Sequence, residues 1–380
     1  MVVLQFEGIQ AVSAAPAMIV PGQFNVGATG AANYSIPISV PPGTAGMVPS
    51  LSLDYSSQTG DGFVGWQWSL GGLPSITRCS RTVAQDGVQG GINYDSNDRF
   101  CLGGQRLILI SGTYGADGSE YRTEIEGFSK ILAHGTAGSG PSWFELHART
   151  GLTLEFGNTT DSRALAVGTS TVRLWAVDKI TDTKGNYLTA TYTNDTTNGQ
   201  IYPTRVDYTG NAGASLSTYN SVQFTYSTSR SDVTPTYQAG SLQQTTALLT
   251  HVKTYQGANL VLDYQLAYRA GTLSLHSRLT SVTLCDSGGS NCLAPTTFGW
   301  QGGSGLPTMT GTSISTTQGY TLLAGDFTGD GLTDAVSLNN TCPSGGVIYS
   351  GSSGGSFSAA SMTATYHYYQ MIVPPCAGRL

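Results

Sequence analysis

Charge is scarce in this sequence. Asp, Glu, Lys and Arg make up 11% of its 380 residues, against roughly 25% in an ordinary soluble domain. The formal net charge is -6, so the chain offers no basic surface to nucleic acid or to an anionic membrane. Disordered chains have low hydrophobicity and few aromatic residues. This chain, in contrast, has 20 Tyr and 11 Phe. We therefore expect a folded protein that binds no nucleic acid.

Long apolar runs are absent as well. No stretch approaches the roughly 20 apolar residues of a membrane-spanning helix, so no membrane span is predicted. The first 20 residues lack a positively charged start, and Glu7 interrupts their apolar part. An ordinary secretory signal peptide is therefore not expected.

The common catalytic signatures are missing too. The sequence contains no HExxH and no GxxxxGK[ST], and its five histidines are scattered. Glu124 and Glu126 in "YRTEIEGF" have the spacing of an ADP-ribosyltransferase carboxylate pair and would share one face of a strand. The Ser-Thr-Ser motif at 227–229 lies downstream of that pair, in the wrong order. A glycosidase-like carboxylate pair stays open, because sequence gives no distances. We predict that the chain is not an enzyme.

The cysteines are few but lie in local pairs. "CDSGGSNC" would form a small loop closed by a disulfide, and two further local pairs complete the set. Oxidised pairs fit an extracellular destination. Reduced, mostly buried thiols are an equal alternative, since spacing does not fix connectivity. No CxxC occurs, so a zinc site is not expected. The proposed pairs are Cys285 with Cys292, Cys79 with Cys101, and Cys342 with Cys376.

Helical periodicity is missing, and "SLQQTTALLTHV" is only a weak candidate. Residues 34–40 alternate apolar with small or polar side chains, "PPGTAG" interrupts them, and residues 51–55 resume the alternation. This pattern predicts a hairpin-like strand pair. Trp66 and Trp68 in "GFVGWQWSLGG" would share one face of a further strand as core anchors; a sugar-stacking role is the less favoured alternative.

The middle of the chain consists of short alternating runs separated by Gly- and Asn-rich turns such as "TKGN" and "TGNAGAS". Strands this short and regular predict an all-β fold, an extended antiparallel sheet that curls on itself. The runs are "RLILI", "WFELHA", "LTLEFG", "VRLWAVDKITD", "YLTATYT", "TRVDYTG", "VQFTYS", "HVKTYQ", "LVLDYQLAYRA" and "RLTSVTLC".

An aspartate-rich loop, "DFTGDGLTD", is the strongest candidate site. Calcium prefers six to eight hard oxygen ligands, and the loop offers carboxylates, a hydroxyl and a backbone carbonyl. Without a cation, three carboxylates this close would repel one another. Ser337 stands where an EF-hand needs Glu, and the flanks alternate like strands, so we predict a structural calcium in a strand–loop–strand. Its ligands would be Asp326, Thr328, Asp330, the Leu332 carbonyl and Asp334.

Several long segments, in order, resemble the SpvB-type N-terminal domain of bacterial toxin proteins. They include "GAANYSIPISVPPGTAGMVPSLSLDYSSQTGDGFVGWQWSLGGLPSITRCSRT", "YDSNDRFCLGGQRLILISGTYGADGSEYRTEIEGFSKI" and "SRLTSVTLCDSGGSNCLAPTTFGW". The aspartate loop resembles the FG-GAP, or integrin-α-like, repeat of β-propellers, although Thr328 replaces the commoner Asn or Asp. Only one clear copy is present, and a propeller needs about 4–8 blades.

The resemblance implies three segments. Residues 1–27 would be a loosely ordered lead-in, residues 28–302 an SpvB-type β-rich domain, and residues 303–380 an incomplete FG-GAP or propeller-like segment. We place the boundary in the Gly-, Thr- and Ser-rich stretch at 295–313.

The resemblance also implies a function. In toxin-complex B components and Rhs (YD-repeat) proteins, this domain forms part of a β-shell around a toxic C-terminal polypeptide. The expected partners are therefore other toxin-complex subunits or such a polypeptide, in a protein that is secreted, and cytoplasmic before release. One alternative is a secreted or surface calcium-dependent binding module. The other is the N-terminal part of an ADP-ribosylating effector, which would need enzymatic sequence beyond Leu380.

Overall fold

The chain is all-β, as the sequence predicts. The computed structural model describes residues 18–272, 274–289, 291–301, 320–327, 332–339, 346–351 and 357–362. The chain divides into two compact units, Met1–Gly302 and Gly303–Leu380. No helix in the described ranges has the length and apolar character needed to cross a lipid bilayer.

The first unit contains 22 of the described strands and two short helices. The helices are a 3-10 turn at Thr44–Gly46 and α1 at Val83–Asp86. The strands are β1 Gln23–Val26, β2 Ala32–Pro37, β3 Ser52–Ser56, β4 Trp68–Gly71, β5 Ser75–Cys79, β6 Arg99–Leu102, β7 Gln105–Ser111, β8 Glu120–Thr123, β9 Lys130–His134, β10 Trp143–His147, β11 Thr153–Phe156, β12 Arg163–Leu165, β13 Val172–Thr181, β14 Asn186–Asp195, β15 Gln200–Asn211, β16 Asn220–Ser227, β17 Thr236–Gln238, β18 Ser241–Gln243, β19 Leu248–Gln256, β20 Asn259–Ala270, β21 Ser277–Cys285 and β22 Thr296–Thr297.

Eight of these strands close into a barrel. Strands β5 to β11 are consecutive antiparallel neighbours. The first half of β13 pairs with β5 and its second half pairs with β11, which completes the ring. An eight-stranded ring leaves an interior just wide enough for side chains to fill. Its filling is mainly aromatic and aliphatic: Ile76, Phe100, Leu107, Tyr121, Ile131, Phe144, Phe156, Trp175 and Val177.

The rest of the first unit is a two-layer sandwich. The second half of β13 also pairs with β14, and the sheet continues in the order β14-β15-β16-β19-β20-β21-β22. The four-stranded sheet β1-β2-β3-β4 packs against it. The shared core combines small-sheet residues such as Ile36 and Leu53 with large-sheet residues such as Val206, Val222 and Val252. Inward-facing residues alternate with outward ones on both layers, as expected for packed sheets.

The second unit is a four-stranded antiparallel meander. Its described strands are β23 Tyr320–Gly325, β24 Asp334–Asn339, β25 Gly346–Gly351 and β26 Phe357–Met362, paired in chain order. Each described strand of this sheet pairs with the next one along the chain, in antiparallel orientation.

The predicted strands are confirmed, with two local corrections. All ten alternating runs of the middle segment lie in strands β7, β10, β11, β13–β16 and β19–β21. The predicted strand containing both tryptophans is wrong in one detail: Gln67 has a left-handed φ of 64°, so β4 begins only at Trp68. Trp68 is a buried core residue, whereas Trp66 stacks on His276 with ring centroids 3.8 Å apart.

The loosely ordered lead-in is also wrong for its last residues. Residues 1–17 lie outside the described residues, but Val20 is 1% exposed and belongs to the sandwich core. Strand β1 pairs with β2 from Gln23↔Ser35 to Val26↔Ala32. All four of its side chains are exposed. Besides the backbone pairing, the Asn25 side chain accepts a hydrogen bond from the side chain of Asn33 on β2. The strand alternates polar and apolar residues over only four positions, the shortest run that such alternation can mark.

Two of the three predicted disulfides are present. Cys79 on β5 bonds Cys101 on the neighbouring β6, and Cys285 bonds Cys292 across its loop. The alternative of reduced thiols is therefore wrong for these four residues. Cys342 and Cys376 lie outside the described residues.

Candidate functional site

The aspartate loop joins two paired strands, as the sequence predicts. Gly325 at the end of β23 lies opposite Asp334 at the start of β24, which brings the two ends of the loop together. Asp334 is fully buried, and its Oδ2 accepts a hydrogen bond of 2.9 Å from the Phe327 backbone N–H. Asp326, at the other end, is exposed.

Three of the five predicted ligands belong to the described part of the loop: Asp326, Leu332 and Asp334. The other two, Thr328 and Asp330, lie outside the described residues. The donor chemistry fits a hard cation, since the loop ends provide carboxylate and carbonyl oxygens. The calcium site stays a prediction.

The glutamate pair does not occupy a strand face. Strand β8 ends at Thr123, so Glu124 and Glu126 lie in the exposed turn that follows. Glu124 accepts a hydrogen bond from the side chain of Gln85, and Glu126 accepts one from the Phe128 backbone N–H. Glu124 therefore contacts a segment 39 residues earlier in the chain, and Glu126 caps its own turn. The expectation that the two project from one strand is wrong.

A buried ion-pair cluster forms a second site, which the sequence did not reveal. The guanidinium of Arg230, whose side chain is 0% exposed, lies 2.8 Å from Asp61 and 2.9 Å from Asp232. It also donates to the backbone carbonyls of Gly62 and Ala247. Candidate ligand atoms of Asp61, Asp232 and His276 lie within 4.8 Å of one another.

The electrostatics of this cluster indicate an architectural role. Burial acts to raise the pKa of Asp232, but hydrogen bonds from Arg230 and Ser277 outweigh it and lower that pKa. For Asp61, burial outweighs the attraction of Arg230, and the pKa is raised. Because the guanidinium already occupies both carboxylates, a metal ion would compete with it. The cluster ties the loop before β4 to the segment before β17, where Arg230 and Asp232 lie.

No sequence motif marks this cluster, because its members come from distant segments. Asp61 and Arg230 are 169 residues apart in the chain. The only local signal is the Arg-x-Asp spacing of Arg230 and Asp232, which is too common to identify a site.

Comparison with solved structures finds the same fold in toxin proteins. The crystal structure of TcdB2-TccC3 matches with a TM-score of 0.66 and 18% identity, over 94% of this chain and 21% of that one. The Photorhabdus luminescens Tc holotoxin pore matches with a TM-score of 0.62 and 17% identity, over 95% of this chain and 20% of that one. The chain thus spans about a fifth of these toxin chains.

The N-terminal domain of the effector SpvB from Salmonella typhimurium strain LT2 also matches. Its TM-score is 0.53 at 20% identity, over 66% of this chain and 98% of that domain. At such identities these likenesses establish the fold. A direct comparison with curated protein sequences finds no match.

The family is established by a sequence model. The model described as "SpvB: Salmonella virulence plasmid 65kDa B protein" matches residues 26–265, which is more than half of the chain. The matched range begins in β1 and ends within β20, so it includes the whole barrel and most of the sandwich. The chain therefore belongs to the SpvB family.

Proposed function

We propose that this chain is a non-enzymatic structural module of a secreted bacterial toxin complex or Rhs-type protein. It forms part of a β-shell that encloses or presents a toxic C-terminal polypeptide. The observation that carries the proposal is the extent of the fold match, 94% of this chain on TcdB2-TccC3 and 98% of the SpvB N-terminal domain. The fold is thus shared both by a large toxin assembly and by a separate effector domain.

The physical character of the first unit supports a wall rather than an active site. It has two extended hydrophobic cores. The buried Arg230 side chain pairs with Asp61, 169 residues earlier in the chain, and the buried pair Arg78–Asp98 joins β5 to the residues just before β6. Buried, fully hydrogen-bonded polar groups fix one arrangement of the chain, because any other leaves them unsatisfied. A rigid, weakly charged wall suits the enclosure of another polypeptide.

Protease protection tests this proposal. The full chain is co-expressed with the toxin polypeptide encoded beside it, the complex is purified, and the rate of trypsin digestion of the toxin polypeptide is measured. We expect co-purification and slower digestion than for the polypeptide alone. An unrelated polypeptide of similar size is the control. Equal binding of both polypeptides, or of neither, would contradict the shell function.

The aspartate loop supports a second proposal, that calcium stabilises the second unit and makes it a docking segment. Asp326, Thr328, Asp330, the Leu332 carbonyl and Asp334 would hold the ion. The supporting observation is the pairing of Gly325 with Asp334, which brings the two ends of the loop together, since clustered carboxylate and carbonyl oxygens are the ligands that calcium prefers. A bound ion stabilises the state that binds it by mass action.

Thermal unfolding tests the calcium proposal. In wild type, excess calcium should raise the melting temperature of the second unit and a chelator should lower it. In the presence of calcium, Asp330→Ala should lower the melting temperature relative to wild type, and the variant should no longer respond to calcium. Glu124→Gln, which removes one negative charge from an exposed turn of the first unit, is the matched control. A wild-type protein that responds to neither calcium nor chelator would refute the site.

A further inference from the structure

A cavity of about 530 Å³ lies in the first unit, where β13, the start of β15 and the β17–β18 hairpin meet. Most of the side chains around it are polar, including Arg173, Thr236, Gln243 and Gln244. Its lining contains no Phe, Tyr or Trp. The shell function makes no use of this cavity.

Arg173, which lines this cavity, is a partly buried cation. It donates one hydrogen bond, to the backbone carbonyl of Gly199, and its buried Nε has no hydrogen-bond partner. Among the described residues, no carboxylate forms an ion pair with it. Burial lowers the pKa of Arg173, and the nearby Tyr94 hydroxyl opposes that shift in part. Since a guanidinium has five donors, most of its capacity is unused.

Arg173 shares a buried Nε without a hydrogen-bond partner with Arg81 and Arg278, but of these three arginines it is the one that lines the cavity. The most deeply buried arginines of this unit are different. Arg78, Arg106 and Arg230 have side chains that are 5% exposed or less, and each forms an ion pair with an aspartate. A buried charge is costly unless it is paired. Where the fold uses a buried arginine for its own structure, it supplies a carboxylate. At Arg173 the carboxylate is left to come from elsewhere.

The backbone around Arg173 is arranged to hold it. Gly199 adopts a left-handed φ of 60°, and a side chain there would collide with the Leu242 carbonyl and with Val167. Only glycine therefore lets this turn approach closely enough for its carbonyl to accept from Arg173. Nearby, Tyr94 Oη donates to Gln238 and accepts from Gln243 Nε2, which orients the Gln243 amide.

We propose that this cavity binds an acidic peptide segment, with the carboxylate of a Glu or Asp side chain paired to Arg173. Arginine matches a carboxylate with two parallel charge-assisted hydrogen bonds. The amide and hydroxyl groups of Gln243, Gln244 and Thr236 complement peptide N–H and carbonyl groups. Acidic sugars are the less suitable ligand, because the lining lacks the aromatic rings typical of ligand pockets.

The opposite part of the lining carries Asp61, Asp232 and His276. Arg230 already pairs with both of these carboxylates, so their charge is largely compensated. A cation is therefore a less suitable ligand for this cavity. Arg173 is the charged group of the lining that has no ion-pair partner among the described residues.

Isothermal titration of the full chain tests the proposal. The probes are the blocked tripeptide acetyl-Ala-Glu-Ala-amide, its neutral counterpart with Gln in place of Glu, and N-acetylneuraminic acid. We expect saturable binding of the Glu peptide and weaker binding of the Gln peptide. Arg173→Gln should weaken the Glu peptide by roughly tenfold or more, because a charge-assisted pair is lost. Arg205→Gln, which removes a surface arginine outside the cavity, should leave binding unchanged.

Three results would overturn the proposal: no binding of the Glu peptide, equal binding of the Glu and Gln peptides, or equal affinity in wild type and Arg173→Gln. Binding of N-acetylneuraminic acid alone would also overturn the peptide assignment. If Arg173→Gln does not fold, NMR of the wild-type arginine Nε–H signals decides. The Arg173 signal must then shift on addition of the Glu peptide, and an unchanged signal counts against the site.

Discussion

The barrel and the sandwich of the first unit are built from the same short antiparallel strands, yet they stabilise their cores differently. In the barrel, Phe100, Phe144 and Trp175 pack with ring centroids 5.1 to 5.4 Å apart. In the sandwich, tyrosine hydroxyls reach from the large sheet to the connection between β2 and β3. Tyr264 accepts from the Ser39 backbone N–H, and Tyr208 donates to the Pro41 carbonyl.

The difference follows from closure. A closed ring leaves no strand edge, so the barrel satisfies its own hydrogen bonds and concentrates its polar links in a few buried side chains. Arg78 and Asp98, both buried, form the main one. The sandwich ends in open edges at β1 and β22, and outside the Arg230 cluster its polar links are spread along two layers. Outside that cluster, loss of one polar side chain should therefore cost the sandwich less than loss of Asp98 costs the barrel.

The largest expected effect comes from Asp98→Ala in the barrel. Asp98 accepts from Arg78 and from the backbone N–H groups of Asn93 and Tyr94. Removing it leaves a buried guanidinium uncompensated and should lower the free energy of unfolding by about 3–5 kcal/mol. In the sandwich, Asp54 accepts from two serine hydroxyls, and Asp54→Ala should cost about 1 kcal/mol.

Urea denaturation of the two aspartate variants measures both losses. If they proved equal, or if Asp54→Ala cost more, the contrast between concentrated and distributed polar links would be wrong.

Removing either disulfide should have an effect of intermediate size on stability, and the two disulfides allow a second comparison of the barrel with the sandwich. Cys79–Cys101 closes a loop of 22 residues in the barrel, and Cys285–Cys292 closes one of 7 residues in the sandwich. Because a longer loop loses more entropy in the unfolded state, removing the bond should cost about 3 kcal/mol for the first and about 2 kcal/mol for the second. Denaturation of the two double-serine variants checks this order, and the reverse order would refute it.

The smallest effect on stability is expected at Asp178. This residue lies on β13, the strand that the barrel and the sandwich share. It is 4% exposed and sits at a register shift between β11 and β13. Burial raises its pKa to about 6, above the roughly 3.9 of an unfolded aspartate. The folded state thus binds the proton more tightly. The carboxyl stabilises the fold fully below about pH 4, and that contribution is lost as the pH rises through about 6.

Asp178→Asn should therefore match wild type at pH 4 and be more stable at pH 8, by on the order of 1–3 kcal/mol. Melting temperatures across this range measure the difference. A variant that is less stable at pH 8 would mean that the charged carboxylate is needed at the junction.

The sequence predicts the local elements well and the closure poorly. Period-two alternation identifies strands such as β7, β13 and β20, because their inward faces are apolar. Barrel closure depends on Leu174–Ala176 pairing with β5, about 100 residues earlier, and no local pattern encodes such a pairing. The Arg173 cavity could not be predicted from the sequence for the same reason, since its lining comes from segments that are distant in sequence. Strand β1 is not predicted because its polar and apolar residues alternate over only four positions, the shortest run that such alternation can mark.

The intact mass of the native protein tests the central claim most directly. The protein should be isolated by affinity capture from the cells that make it and analysed by native mass spectrometry. Our account predicts an assembly well above 39.6 kDa, in which the shell module is joined to, or bound by, toxin-complex polypeptides. A stable, unaccompanied species of 39.6 kDa would contradict the shell function.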